Sequence, residues 1–303
     1  MIFNNNKYVI FVRIPFLLVF FALFLNSCGE NQKKNTGKKS IKIVSLAPSL
    51  TELVFFLGKG DCLVGCTTAC NYPEQVSEIE KIGGFGKPSI EKLISLKPDA
   101  VIASALADKS VQKTIEQYGI KFYLLPSETM EDYPTALRLL GNILNCKKYA
   151  AKKIDEYKRD LENLSKENRA IGLRKKVYLE VWNNPYMTIG KKSFIDKMIY
   201  YAGGLNIASN IDKGYFNFSL EWLLKADPDV IICPAMSKDA VKDVENRDGW
   251  QNIKAIRNHC VHTGINNDLL YRLGPRTIQG IRLLKMMIEG KKFIETTQIS
   301  NEK

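Results

Sequence analysis

Imidazole and thiol are scarce in this 303-residue chain, which holds two histidines and seven cysteines. His259 and His262 lie in no recognisable nucleophile or zinc motif, and at an odd separation next to the strand-like Val261 they would point to opposite faces. Cys62, Cys66 and Cys70 recur every fourth residue, a spacing that would line one face of a helix. However, Leu63-Val64-Gly65 and Tyr72-Pro73 read as strand and loop, and no Cys-x-x-Cys pair supports a thiolate metal site. Catalysis is disfavoured on these grounds. The chemistry that does repeat is a carboxylate: Glu91 and Glu221 stand 130 residues apart (221 − 91) in matching surroundings.

Those surroundings are residues 89–102 and 219–232. Laid over each other without a gap they agree at Ser89/Ser219, Glu91/Glu221, Leu93/Leu223, Pro98/Pro228, Asp99/Asp229 and Ile102/Ile232. The serine caps a helix, and the glutamate sits in the first turn, where negative charge meets the positive end of the helix dipole. Proline ends the helix, and the aliphatic run after Pro-Asp reads as a strand buried on both faces. The chain is therefore two related halves, each containing a helix that feeds a parallel strand. Stabilising its own helix by roughly 0.3–1 kcal/mol is one sufficient reason for each glutamate.

Other elements must position these units. Ile41–Leu46 is an aliphatic strand. Ser49 with Glu52 has the spacing of a capping box, predicting a helix from about Leu50 to Leu57 that stops at Gly58. Leu63–Cys66 and Lys121–Leu125 are further strands. The glycine-rich stretch 82–88 lacks a Gly-Lys-Ser/Thr ending and is better read as a tight loop displaying Phe85. From about Met130 to Asn168 apolar residues recur at spacings of three and four, the longest helical pattern present, with Gly141 as a point of kinking or breakage. Beyond it come a strand at Lys176–Val181, a helix starting at Ser193, the second repeated unit, a late strand at Val261–Thr263, a loop over Asp268–Arg276 and a closing helix from Thr277 to Glu289.

Composition bounds the rest. At 45% hydrophobic and 25% charged, the chain can bury a sizeable core divided between two domains. Its net charge of +12 comes from scattered lysines, and no nucleic-acid-binding module is evident. Residues 1–27 combine Lys7 and Arg13 with the apolar run Ile14–Leu25, too short for a spanning helix and readable as a signal peptide. Residues 28–40 form a polar tether without hydrophobic period.

Leu25-Asn26-Ser27-Cys28 resembles a bacterial lipobox, which implies that Cys28 carries a lipid. The remainder resembles the substrate-binding proteins of ABC importers for vitamin B12, ferric siderophores and haem. The matching segments are Ile43–Leu53, Asn71-Tyr72-Pro73, the two repeated units, Gly190–Asn206 and Arg272-Leu273-Gly274-Pro275-Arg276. The resemblance implies an α/β fold of two Rossmann-like lobes with mainly parallel central sheets, residues 41–128 and 170–303, joined by a single long α-helix at 129–169. A ligand cleft lies between the lobes. It further implies an exported, lipid-anchored, monomeric protein that is no enzyme, needs no cofactor or metal of its own, and works with a permease dimer and its ATPase subunits. Glu91 and Glu221 match the permease-docking positions. Tyr72, Phe85, Trp182, Tyr186, Phe216 and Arg272 match ligand-facing positions, with Trp182 the likeliest of the aromatics to be core and Arg276 structural. Aromatic faces suit a flat macrocycle, so cobalamin is the expected ligand, with ferric siderophore or haem as alternatives.

Overall fold

Two sheets face a common apolar layer, and the order of the strands explains why the chain reads as two halves. The computed structural model describes residues 40–104 and 108–290. In the first half β1 (Ile43–Ser45), α1 (Pro48–Phe56), β2 (Leu63–Cys66), the hairpin strands β3 (Gly83–Gly84) and β4 (Lys87–Pro88), α2 (Ile90–Ser95), β5 (Ala100–Ser104), α3 (Lys109–Gln117) and β6 (Lys121–Leu125) follow in turn. The sheet runs β2-β1-β5-β6 with every pair parallel. Two helices, α4 (Asp132–Ile143) and α5 (Lys147–Glu167), lead to the second half.

There, β7 (Lys176–Asn183), β8 (Tyr186–Ile189), α6 (Phe194–Tyr201), β9 (Leu205–Asn206), β10 (Tyr215–Asn217), α7 (Leu220–Ala226) and β11 (Val230–Cys233) are followed by α8 (Val241–Glu245), α9 (Lys254–Arg257), β12 (Val261–Thr263), α10 (Asp268–Tyr271) and α11 (Thr277–Ile288). The sheet runs β10-β8-β7-β11-β12, with β9 also paired to β7. Its β7-β11-β12 core is parallel and its β7-β8-β10 edge antiparallel.

The strands alternate between faces, as period two demands. Ile43 and Ile102 of the first sheet, and Val177, Leu179, Val230 and Ile232 of the second, enter one continuous apolar cluster. That cluster also takes in Leu137 and Leu140 of α4, Ile154 and Tyr157 of α5, and Ile281 and Leu284 of α11. Val44, Val101 and Ala103 face a separate outer layer with Leu93 of α2 and Ile115 of α3. Tyr178, Ile231 and Cys233 do the same with Leu223 and Trp250. The lobes thus share their main core.

The repeated unit works alike in both lobes. Ser89 and Ser219 accept hydrogen bonds from the N–H of Lys92 and Trp222, each at 3.3 Å. Asp99 accepts from the N–H of Lys42 at 2.8 Å and Asp229 from that of Lys176 at 2.7 Å, so each repeated aspartate pins the start of the neighbouring strand.

Three sequence expectations are corrected. The stretch 129–169 is not one helix: it breaks between Ile143 and Lys147, where Asn145 adopts φ +54. Gly141 stays helical because its missing Cβ makes room for Ala150 of α5. Nor do Ser49 and Glu52 form a capping box. Helix α1 starts earlier, with Pro48 at its first turn and Ala47 as a cap making no side-chain bond, and Glu52 is buried elsewhere. The expected stop at Gly58, φ +67, does hold. The loop expected over Asp268–Arg276 contains the short helix α10.

Candidate functional site

Loops at the carboxyl ends of the parallel strands enclose a cleft of about 590 Å³ lined from both lobes. The first lobe contributes Ala47, Pro48 and Ser49 at the start of α1, Phe85 at the hairpin tip, Ser104 at the end of β5 and Ser127 beyond β6. The second contributes Lys192 and Ser193 at the start of α6, Tyr215 on β10, and Tyr271 and Arg272 at the end of α10. This is where α/β sheets bind ligands, and the N-terminal ends of α1 and α6 turn their positive dipole ends toward it.

Phe85 and Tyr215 are the cleft's exposed aromatics, at 46% and 47% exposure. They stand 130 residues apart (215 − 85), the offset of the internal repeat. Each precedes its lobe's repeated glutamate by six residues, so the duplication has placed an aromatic on either wall. Tyr215 and Ser193 meet in the lining, and partial burial of the phenol raises its pKa by more than Ser193 lowers it. Burial also drives the pKa of Tyr271 well up, and its hydroxyl donates to the Glu180 carbonyl at 3.4 Å.

Both basic side chains of the cleft lining have carboxylate partners. Lys192 pairs with Asp212 at 2.8 Å. Arg272 pairs with Asp268 at 2.8 Å and Glu52 at 3.1 Å, and also donates to Asn71 Oδ1 at 2.7 Å and to the Ala69 carbonyl at 3.2 Å. Beside it Arg276 makes two bonds to Glu52, at 2.8 and 2.6 Å, and lies over the Tyr72 ring 4.1 Å from its centroid. Burial lowers the Arg276 pKa, but the bonds and charge of Glu52 outweigh it and hold it above its usual value. Since Glu52 belongs to α1 and both arginines to the other lobe, this cluster clamps the lobes at the base of the cleft.

The expected ligand-facing residues therefore separate. Phe85 and Arg272 line the cleft, although the donors of Arg272 are committed to protein. Tyr72 lies outside the lining, with Arg276 over one face of its ring and the residue 44% exposed. Phe216, one residue from Tyr215 and so on the other face of β10, packs edge-on against Trp222. Tyr186 stacks with Phe218 and contacts Trp250 beneath Arg247. Trp182, expected to face the ligand and the likeliest of these aromatics to be core, is neither: it is 57% exposed and borders a separate hollow of about 210 Å³ beside Glu180 and Met236. Arg276 is structural, as expected. The missed residues are Tyr215, which the 130-residue offset could have identified, and Glu52, whose partners lie more than 200 residues away.

Glu91 and Glu221 are both exposed, and among the described residues neither forms an ion pair. A helix feeding a parallel strand runs antiparallel to it, so its first turn lies level with the strand's carboxyl end. Both carboxylates therefore stand at the cleft end of their own sheet. Cys28 and the leader lie outside the described residues. Among the described residues, no helix is long and apolar enough to cross a membrane, and no cluster of three or more His, Cys, Asp or Glu side chains could hold a metal.

Comparison with known proteins places this architecture among relatives. A family model described as "Periplasmic binding protein" matches residues 43–265. An uncharacterized ABC transporter substrate-binding lipoprotein of Bacillus subtilis, YvrC, is 33% identical over 274 residues, 88% of this chain and 86% of the relative. A possible iron-binding (periplasmic solute-binding) protein of Staphylococcus epidermidis superposes with a TM-score of 0.74 at 27% identity, covering 83% of this chain and 99% of the other. The vitamin B12-binding protein BtuF of Vibrio cholerae superposes with a TM-score of 0.71 at 25% identity, covering 82% and 97%.

Proposed function

Because the chain belongs to the periplasmic binding protein family, whose members are non-enzymatic substrate-binding components of ABC importers, we propose that it captures a cobalamin-type corrinoid and delivers it to its permease. Relatives named as vitamin B12-binding proteins support this reading, and a possible iron-binding relative keeps an iron chelate as the alternative. Phe85 and Tyr215 on opposite walls are the observation that carries the choice of a flat macrocycle. One feature favours a corrinoid within that class: Arg272, the buried cation of the lining, is committed to Glu52 and Asp268, which leaves it little with which to attract an anionic ferric siderophore.

In this reading Glu91 and Glu221 meet basic residues of the permease, one per lobe, and lipid on Cys28 holds the protein at the cell envelope, facing the periplasm or outer surface. Exposed ion pairs are worth ~0–1 kcal/mol each, so the glutamates set register and recognition more than affinity. Titration of the purified chain with cyanocobalamin, haemin and ferric siderophores, read by tryptophan fluorescence and visible spectra, tests the ligand. Saturation by one equivalent of cyanocobalamin is expected. A haemin-specific Soret shift without cobalamin binding, or binding of a siderophore alone, would overturn the choice.

A further inference from the structure

The ligand cleft makes no direct use of a second chemical cluster, just behind its first-lobe wall. Cys66 ends β2, and Cys70 closes the following turn, donating its N–H to the Thr67 carbonyl at 3.0 Å. Both side chains are buried in a small cluster with Val76, apart from the main core. The two thiols are neighbours in this cluster, and each perturbs the titration of the other. Lys81 Nζ lies 3.2 Å from Cys66 Sγ and donates to the Cys70 carbonyl at 3.1 Å. The hydroxyls of Thr51 and Thr67 lie 3.2 and 3.3 Å from Cys70 Sγ. Two neighbouring thiols, a fixed cation and two hydroxyls make an activated dithiol.

The peptide between and just beyond these cysteines is also the first lobe's side of the lobe junction. The Ala69 carbonyl accepts from Arg272, Asn71 bonds both Arg272 and Asp268, and Tyr72 lies under Arg276. We propose that Cys66 and Cys70 are a redox site whose disulfide closes the 66–70 turn and braces the contacts that the adjoining loop makes across the lobe junction. The site is independent of which ligand the cleft takes.

Oxidation by an external disulfide, R–S–S–R, balances as follows. The Cys70 thiolate attacks one sulfur of the reagent, whose S–S bond breaks to release R–S⁻. Cys66 then gives up its proton and attacks Cys70 Sγ, displacing the second R–S⁻. The pair loses two electrons and two protons, and the reagent departs as two R–SH. The order follows from the surroundings. Cys66 beside it, with the hydroxyls of Thr51 and Thr67 on its sulfur, holds the Cys70 thiol below its usual value despite burial. The same contact and burial raise Cys66, and Lys81 stands ready to stabilise its thiolate once formed. Thr68 and Asn71 are exposed while both thiols are buried, so the reagent reaches Cys70 as the turn opens.

The test uses the reduced full chain treated with oxidised glutathione, alkylated in denaturant, and digested for tandem mass spectrometry. Cys66 and Cys70 should escape alkylation together, their peptide lighter by two hydrogens, while Cys62 is alkylated. The Cys66→Ala variant should retain glutathione on Cys70, because the resolving thiol is gone. In the unsubstituted protein, oxidation should slow amide exchange across residues 67–72 by at least about tenfold, and dithiothreitol should restore it. Alkylation of both cysteines, pairing of either with Cys62, or thiols that react only after a metal is chelated away would overturn the proposal. The assays on the unsubstituted chain stand even if the variant misfolds.

Discussion

Replacing Glu52 by glutamine would remove one charge from the clamp between the lobes while keeping its shape. The Glu52 side chain is 2% exposed and receives three bonds, two from Arg276 and one from Arg272. With Asp268 the cluster is neutral, so the substitution leaves two guanidiniums facing a single carboxylate. The new amide must also present an N–H to a guanidinium that only donates. Breaking a buried pair costs ~3–5 kcal/mol. Asp268, 2.8 Å from Arg272 and 3.9 Å from Arg276, offers partial compensation, which places the expectation near the lower end, about 3 kcal/mol. At ~2–4 °C per kcal/mol for a chain of this size, the melting temperature should fall by about 6–12 °C. Urea unfolding should show this as one cooperative transition, because the lobes share their main core. Glu80→Gln is the control: its pair with Lys92 spans 3.6 Å, with both side chains more than half exposed, and losing it should cost under ~0.5 kcal/mol. Joint replacement of Glu52 and Arg276 by methionine should recover most of the loss, since an apolar pair needs no desolvated partner. A Glu52→Gln protein within about 1 kcal/mol of the original would refute the clamp.

Charge reversal at Glu91 and Glu221 together should abolish transport in cells while leaving ligand affinity in solution unchanged; a comparable loss of affinity would show that they belong to the cleft. Cys28→Ser should move the protein from the membrane to the soluble fraction, and retention would point to another anchor. Burial of Asp229 raises its pKa, but the hydrogen bonds of Lys254 and the Lys176 N–H outweigh it and hold the group below its ordinary 3.8. A carboxylate lowered on folding stabilises the native state above its unfolded pKa and loses that contribution as pH falls through the folded value. Asp229→Asn should therefore lower stability at neutral pH and flatten the decline below pH 3.8, as denaturant midpoints measured across pH would show.

The repeated unit was legible because everything it uses is local: a serine cap, a first-turn glutamate, a proline stop and an aliphatic strand. The role of Asp99 and Asp229 was not, because their partners Lys42 and Lys176 lie 57 and 53 residues upstream. Ser49 and Glu52 had the spacing of a capping box, yet Pro48 already starts the helix and Glu52 answers to arginines at the far end of the chain. Phe216 and Tyr215 differ by one position, but in a strand one position exchanges faces, and only the duplication's offset distinguishes them. Tyr186 carries no local mark of the packing it finds against Phe218 and Trp250. Asn145 breaks the bridging span where helical periodicity continues on both sides, a backbone event that apolar spacing does not register.

The affinity of cyanocobalamin for Phe85→Ala, Tyr215→Ala and Phe216→Ala, measured by equilibrium titration, tests the aromatic cleft most directly. Loss of either wall residue should weaken binding by about tenfold, and loss of Phe216 by less than about threefold. If Phe216 proved the costly residue, or if all three variants bound like the original, two aromatic walls gripping a macrocycle would be the wrong description.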